Sequence, residues 1–303
     1  MMRVPFTARL LLAGSLVLVT WGCGSAPRSA AAPAPRADAG AEPAMLPVRY
    51  DAASGRVMLS VRPGAEMLYL GTLAGGLGTT SPLLDRGQVG DAALVRFERH
   101  GGRVLLIRQN TDHRASTGDE ALRRSVEESF PRSVIASFAV QREEGDRLVV
   151  DATDFLLGDT YDVIGRLRAA GLGTVRLDRD RSYVDAERTR AFPGNTEVRV
   201  TLSYVSDAPH IELRRHAPDG RTFALEVQHS FLALPDPLMR PRAFHPQAGI
   251  FANSFYDFAQ PFDGDYRQRQ LVRWRLEPSD TAAYLLGEPV EPVRPIVYYL
   301  DPA

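Results

Sequence analysis

Six histidines, one cysteine and a few closely spaced aspartates are the residues of this chain best suited to chemistry. A zinc hydrolase of the helical type sets two His one turn apart with a Glu beside the first, H-E-x-x-H. The six histidines are followed by Gly101, Arg114, Ile211, Ala217, Ser230 and Pro246, so that motif is absent. His210 and His216 would share a face on a straight strand, but Pro218-Asp219-Gly220 marks the segment as the arm of a turn. A metal would also need further ligands and a fixed outer shell. His229 falls on the apolar face of Arg221–Ala233, where a hydrogen-bonded core histidine is expected. Asp263-Gly264-Asp265 opens like a calcium loop but lacks the later ligands and terminal Glu, which leaves a hairpin turn. Asp151 and Asp154 could be the paired carboxylates of a glycosidase, yet three apart on a strand they face opposite sides. No G-x-S-x-G elbow occurs, and Cys23 closes an export signal. We therefore expect no catalytic residue, no metal ligand and no cofactor in this chain.

The best candidate for recognition is the aromatic and Arg-rich run from Phe251 to Trp274. Phe251, Phe255, Tyr256, Phe258, Tyr266 and Trp274, interleaved with Arg267, Arg269, Arg273 and Arg275, have the composition of a protein interface. The alternative is an ordinary sheet with aromatics inside and Arg outside; Trp274 is assigned to the core in both cases. Nucleic acid is not an expected partner. The 36 basic residues are all Arg, are scattered among 37 acidic ones and leave a net charge of -1. The glycines of Gly75-Gly76-Leu77-Gly78 lack the Lys-Ser/Thr pair of a phosphate cradle, so they read as a turn-rich connection.

The elements that must carry these residues are mostly hairpins. Pro47–Tyr50 with Arg56–Val61, Ala92–Glu98 with Arg103–Gln109 around His100-Gly101-Gly102, and Val134–Gln141 with Arg147–Phe155 each have turn residues between apolar runs. Val104 and Leu106 alternate with Leu105 and Ile107, so that strand is apolar on both faces and belongs at the centre of a sheet. Glu197–Val205 and Arg221–Ala233 alternate apolar with polar, the pattern of half-buried antiparallel strands. Gly249–Phe258 and Tyr266–Leu276 form a last pair. One helix is expected from Gly118 to Phe130, where Thr117 to Glu120 has capping-box spacing and Leu122, Val126 and Phe130 recur. A second, capped by Asp159, carries Val163, Ile164 and Leu167 and ends at Gly171. The fold class is α+β, mainly antiparallel and sandwich-like, with two or three short helices.

Arg3 and Arg9 precede an apolar run, Leu10–Val19, that is too short for a membrane span and reads as a signal peptide over residues 1–22. Gly22-Cys23 resembles the lipid-attachment site of bacterial lipoproteins, with Thr20 and Trp21 where Leu and a small residue are usual. Lipidation at Cys23 would anchor the chain to a membrane of the cell envelope, and cleavage near Ala26 with plain secretion is the alternative. Residues 23–45 are an Ala/Pro-rich tether with too few large apolar side chains to order. The remainder divides into a hairpin-rich subdomain at 46–110, a main α+β domain at 111–290, and a connector with a last strand at 291–303.

Several separated words, LLDRGQVG, RFERHGGRVLLIRQN, VDATDFLLGD, MRPR, GIFANSFYDF, LVRWRLE and EPVRPIVYYLDPA, resemble the N-terminal, uncharacterised domains of bacterial secreted zinc-dependent metalloproteases of metzincin type. In that family the last word stands before the catalytic domain, whose H-E-x-x-H helix lies downstream. The resemblance implies a non-catalytic region lacking its protease domain, with zinc belonging to that domain alone. It also implies that Gly249–Leu276 docks a protease domain; a lipid-tethered module binding an envelope protein is the alternative.

Overall fold

The computed structural model describes residues 42–79 and 81–298. The signal peptide, Cys23, most of the tether and the end of the Ile296–Leu300 run lie outside the described residues. Alternation of apolar and polar side chains marks several of the thirteen strands among the described residues, Arg56–Val61, Ala93–His100, Asn195–Val205 and Thr222–Ala233 most clearly, and tight turns join many of them. β1 (Val48–Asp51) pairs with β2 (Arg56–Val61), and β3 (Glu66–Gly75) leads to β4 (Ala93–His100) and β5 (Arg103–Arg108). The β4–β5 turn places Gly101 at φ 59°, the first central position, where an L side chain would be strained. After β6 (His113–Arg114) and helix α1 (Glu120–Ser129), β7 (Ser133–Glu144) and β8 (Arg147–Asp151) form a hairpin. Two short helices follow, α2 (Thr153–Leu156) and α3 (Val163–Ala169). Then come β9 (Arg176–Ala191), β10 (Asn195–Val205), helix α4 (Ile211–His216) and β11 (Thr222–Ala233). The chain closes with β12 (Ala252–Asp257), β13 (Arg267–Leu271) and helix α5 (Thr281–Leu285).

Ten strands make one antiparallel sheet in the order β1-β2-β8-β7-β5-β4-β3-β11-β10-β9. It curls until its ends nearly meet: Met45 N donates to Phe192 O at 3.0 Å, just past β9, and Thr196 Oγ1 donates to Leu46 O at 2.6 Å. The chain is thus α+β and mainly antiparallel, its one nearly closed sheet sandwich- or barrel-like, with five short α-helices among the described residues. Strands from both the 46–110 and 111–290 segments contribute to it. β5, apolar on both faces, lies near the middle between β4 and β7.

The inner face collects Val57, Leu59, Phe97, Val200, Leu202, Tyr204 and Phe231, all essentially inaccessible. Leu156, Val163 and Leu167 of α2 and α3 pack into the same cluster. Two polar ties hold that helical segment to the sheet. Tyr204 O–H donates to Asp159 at 2.8 Å, while Asp159 also accepts the N–H groups of Val163 and Ile164 at the start of α3. His229 meets the Leu156 carbonyl through Nε2 at 2.9 Å and the Tyr69 hydroxyl through Nδ1 at 2.9 Å. A carbonyl only accepts, so Nε2 carries the proton and Nδ1 accepts from Tyr69. Burial pushes the imidazolium pKa of His229 down to about 4 and the phenol of Tyr69 up to about 12. His229 is a satisfied core histidine, as its place in the apolar alternation indicates.

Several boundaries differ from expectation. Asp119 rather than Thr117 caps α1, accepting the N–H groups of Ala121 and Leu122, because Thr117 Oγ1 already takes the N–H of Asp119. His210 to His216 forms α4 with its cap rather than the arm of a turn, since His210 Nδ1 accepts the Glu212 N–H at 3.2 Å. The last strand covers Arg267–Leu271 rather than Tyr266–Leu276. Its partner β12 begins at Ala252, and Gly249 at φ 64° turns that partner away, so residues past Val272 have no strand to pair with. Trp274 consequently stands 61% exposed rather than in the core.

Candidate functional site

A hairpin and one short segment far upstream in the sequence build a second, three-stranded sheet, in the order β13-β12-β6. β12 and β13 are an antiparallel hairpin, and the two residues of β6 join β12 in parallel, Tyr256 beside His113 and Asp257 beside Arg114. Asp257 fixes this junction. Its carboxylate accepts the Ser116 N–H at 2.9 Å across 141 residues of sequence, and the Ala259 N–H at 3.0 Å. Burial opposes its ionisation, but these donors and Arg114 together hold its carboxyl below the usual range. Arg114 lies 3.4 Å from the centroid of the Phe255 ring, so Phe255 is a buried cation–π partner and not a contact surface.

The other expected interface residues divide in two groups. Phe251 is 87% exposed, and Tyr256 and Arg267 are exposed as well. Arg269 instead covers Phe244 at 3.6 Å, Arg273 donates to Arg240 O at 2.9 Å, and Arg275 pairs with Glu277 and donates to Pro237 O at 2.7 Å. These three arginines brace the connection from β11 to β12, and Arg269 and Arg275 remain exposed. Beyond β13, Val272, Trp274, Leu276, Tyr284, Leu285, Leu286, Val293, Val297 and Tyr298 are all exposed, and α5 buries no residue.

Pairing β6 with β12 also assembles a ring stack absent from any local pattern. His113 lies parallel to Phe130 at 4.1 Å and to Tyr256 at 5.4 Å, and the stack continues through Phe258 to Tyr266. On one side of His113 a shallow hollow of about 440 Å³ exposes Tyr256, Phe258, Tyr266 and Arg267. On the other side a cleft of about 640 Å³ opens between α1 and the ends of β4 and β5. Its walls carry Arg96, Arg114, Arg123, Arg124 and Arg132 against Glu66, Glu127 and Glu128. Glu98 behind the wall holds Arg96 at 2.6 Å and Arg132 at 2.5 Å. Burial opposes its charge, but the two guanidinium groups keep its carboxyl below the usual range. Gln109 Nε2 and His113 Nδ1 are buried in the cleft wall without a protein partner.

No group of three or more His, Cys, Asp or Glu able to hold a metal occurs among the described residues. His210 and His216 sit at opposite ends of α4. Asp151 accepts the Thr153 hydroxyl at 2.5 Å, Asp154 pairs with Arg179 at 2.6 Å, and Asp265 accepts the Arg267 N–H at 2.8 Å. These carboxylates are occupied by local structure. No helix among the described residues is long and apolar enough to cross a membrane.

Residues 87–279 match the model of a family described as a domain of unknown function, DUF5117. The chain belongs to that family. The match runs from the approach to β4 through β13, so the ring stack, the small sheet and, Glu66 apart, the lining of the α1 cleft fall within the DUF5117 region. No curated protein and no solved structure matches the chain. The apolar positions of α1 predict the helix and carry no information about its arginines. The spacing of Arg123 and Arg124 opposite Glu127 and Glu128 was the available sign. Nothing local could have brought His113 to Tyr256.

Proposed function

We propose that this DUF5117 chain is the non-catalytic N-terminal region of an exported, metalloprotease-like lipoprotein, and that it docks a protease domain of metzincin type. One observation carries the reading. Among the described residues, fifteen of the twenty-one exposed large apolar side chains lie between Leu238 and Tyr298. Scattered exposed apolar residues need no explanation, but such a concentration on one stretch suits a contact with another protein surface. The motif resemblance supplies the identity of that surface, and zinc would belong to the docked domain. Export through residues 1–22 and lipidation at Cys23 would place the complex in the cell envelope.

The test begins with the source DNA on both sides of the coding region, translated in all frames for H-E-x-x-H-x-x-G-x-x-H. The encoded domain, expressed with the full chain, should co-elute with it, and Phe251→Ser with Trp274→Ser should release it. Absence of such a domain, or a complex indifferent to both substitutions, overturns docking. A second reading, a lipid-tethered module binding an envelope protein, is favoured by the Arg-lined cleft beside α1.

A further inference from the structure

We infer that the α1 cleft and the adjoining ring stack form one binding groove for an acidic peptide segment that also carries aromatic side chains. The inference goes beyond protease docking and does not depend on it, because Phe251, Trp274 and the residues after β13 line neither hollow.

Charge comes first. Five guanidinium groups and three carboxylates line the cleft; Glu98 behind the wall already takes Arg96 and Arg132, and Glu66 also reaches Arg96, so the open guanidinium groups are chiefly those of α1, which leaves its own pairs unmade. Arg123 and Glu127, and Arg124 and Glu128, stand one helical turn apart with Arg on the N-terminal side, the weaker order for such pairs. No ion pair joins them among the described residues; Arg123 reaches only the Thr117 carbonyl at 3.5 Å. The Gln109 amide nitrogen, a donor, is likewise without a protein acceptor. Such a wall calls for a ligand rich in acceptor oxygens, and carboxylates are the side chains that match guanidinium geometry.

The class of ligand follows from what surrounds that charge. Glu66, Glu127 and Glu128 in the same walls would repel a nucleic acid, whose charges are evenly and densely spaced, and the chain as a whole is near neutral. A peptide can place carboxylates opposite Arg123 and Arg124 and leave gaps opposite the glutamates. His113 and Phe130 line both hollows. A peptide continuing past His113 therefore meets the exposed Tyr256 ring and the half-buried edges of Phe258 and Tyr266, where an aromatic side chain stacks in the offset or edge-on manner that such rings prefer.

The experiment uses the full chain and a dye-labelled octapeptide, Glu-Glu-Phe-Glu-Glu-Phe-Glu-Glu, read by fluorescence anisotropy. Saturable binding that weakens with salt is expected. Arg123→Glu with Arg124→Glu should weaken it by about tenfold, since both side chains are exposed and each reversal turns an attraction into a repulsion. Circular dichroism checks that the pair still folds, and Arg124→Gln alone, with a smaller loss, serves if it does not. Replacing both Phe of the probe by Ser should also weaken binding, whereas Phe251→Ser and Trp274→Ser should leave it unchanged. The inference is overturned if the probe does not saturate, or if the charge-reversed chain binds equally well. It is also overturned if the Ser probe or heparin binds as tightly, or if a Lys/Phe octapeptide binds better.

Discussion

The ten-stranded sheet and the stretch from Leu238 to Tyr298 are both rich in large apolar side chains and use them in opposite ways. In the sheet, strict alternation sends Val198, Val200, Leu202 and Tyr204 to one face, where they are wholly buried. The later stretch has Phe251, Phe262, Trp274, Leu285, Leu286 and Tyr298 in the open. The difference is not hydrophobicity but partnership. Each strand of the sheet finds a neighbour on both sides until the ends almost meet, whereas β13 loses its partner at Ala252 and the described chain beyond it buries no large apolar side chain. Burial in the first region stabilises the fold, and the apolar surface of the second is free to stabilise a complex.

The sharpest test of that contrast is to delete a ring from each region. Phe231 is inaccessible on β11 and packs 5.1 Å from Tyr69. Phe231→Ala should lower unfolding stability by about 3–5 kcal/mol, read by urea denaturation, because the cavity adds to the lost transfer energy. A loss under about 1 kcal/mol would mean that the sheet interior is not the packed core described here.

Next in size is a pH effect seated in the same interior. His229 has a folded-state pKa near 4 against an ordinary 6.5, with burial the main cause and the Leu156 carbonyl opposing it. The unfolded chain therefore binds the proton first. The neutral imidazole's contribution is full above pH 6.5 and is lost as pH falls from 6.5 towards 4, to the extent of roughly 3 kcal/mol. His229→Gln should flatten the stability profile across that window. The depressed carboxylates, Glu98 and Asp257 among them, act lower, their contributions being lost only as pH falls below the ordinary carboxylate range. Parallel profiles for the two proteins between pH 6.5 and 5 would show that His229 is not buried neutral.

The sheet was far more legible in the sequence than the site. β2, β4, β5, β10 and β11 announce themselves because period-two alternation and turn glycines are local signals, and His229 could be assigned to the core from its place in that alternation. The sixteen residues of β9, Arg-Leu-Asp-Arg-Asp-Arg onward, escaped notice because their charge hides the strand. They lie at one end of the sheet, where charged side chains guard an edge against pairing with other chains. The site failed for another reason. Phe255 and Tyr256 are adjacent and alike in the sequence, yet one lies beneath Arg114 and the other in the ring stack, and only the pairing of β6 with β12 decides which.

α1 stands between the two regions, being capped like a core element and packed like a surface one. Only Val126 is buried, so little but the Asp119 cap and its own hydrogen bonds hold it. Asp119→Ala should cost about 1 kcal/mol, and amide exchange should show the loss in α1 itself rather than across the sheet. Uniform loss of protection would make α1 part of the cooperative core.

The smallest effect bears most directly on docking. Trp274 is 61% exposed and touches Tyr298 edge-on at 6.4 Å, so Trp274→Ser removes little that the folded chain relies on. Stability should change by no more than about 0.5 kcal/mol, the range of ordinary surface substitutions. Binding of the apolar dye ANS, which reports accessible hydrophobic surface, should fall, and fall further when Phe251→Ser is added. The same dye on Phe231→Ala, measured well below its unfolding transition, should change little, because a dry interior cavity adds no outer surface. A large stability loss at Trp274 would instead show that this ring is structural, and the contrast between the two regions would then stop at β13.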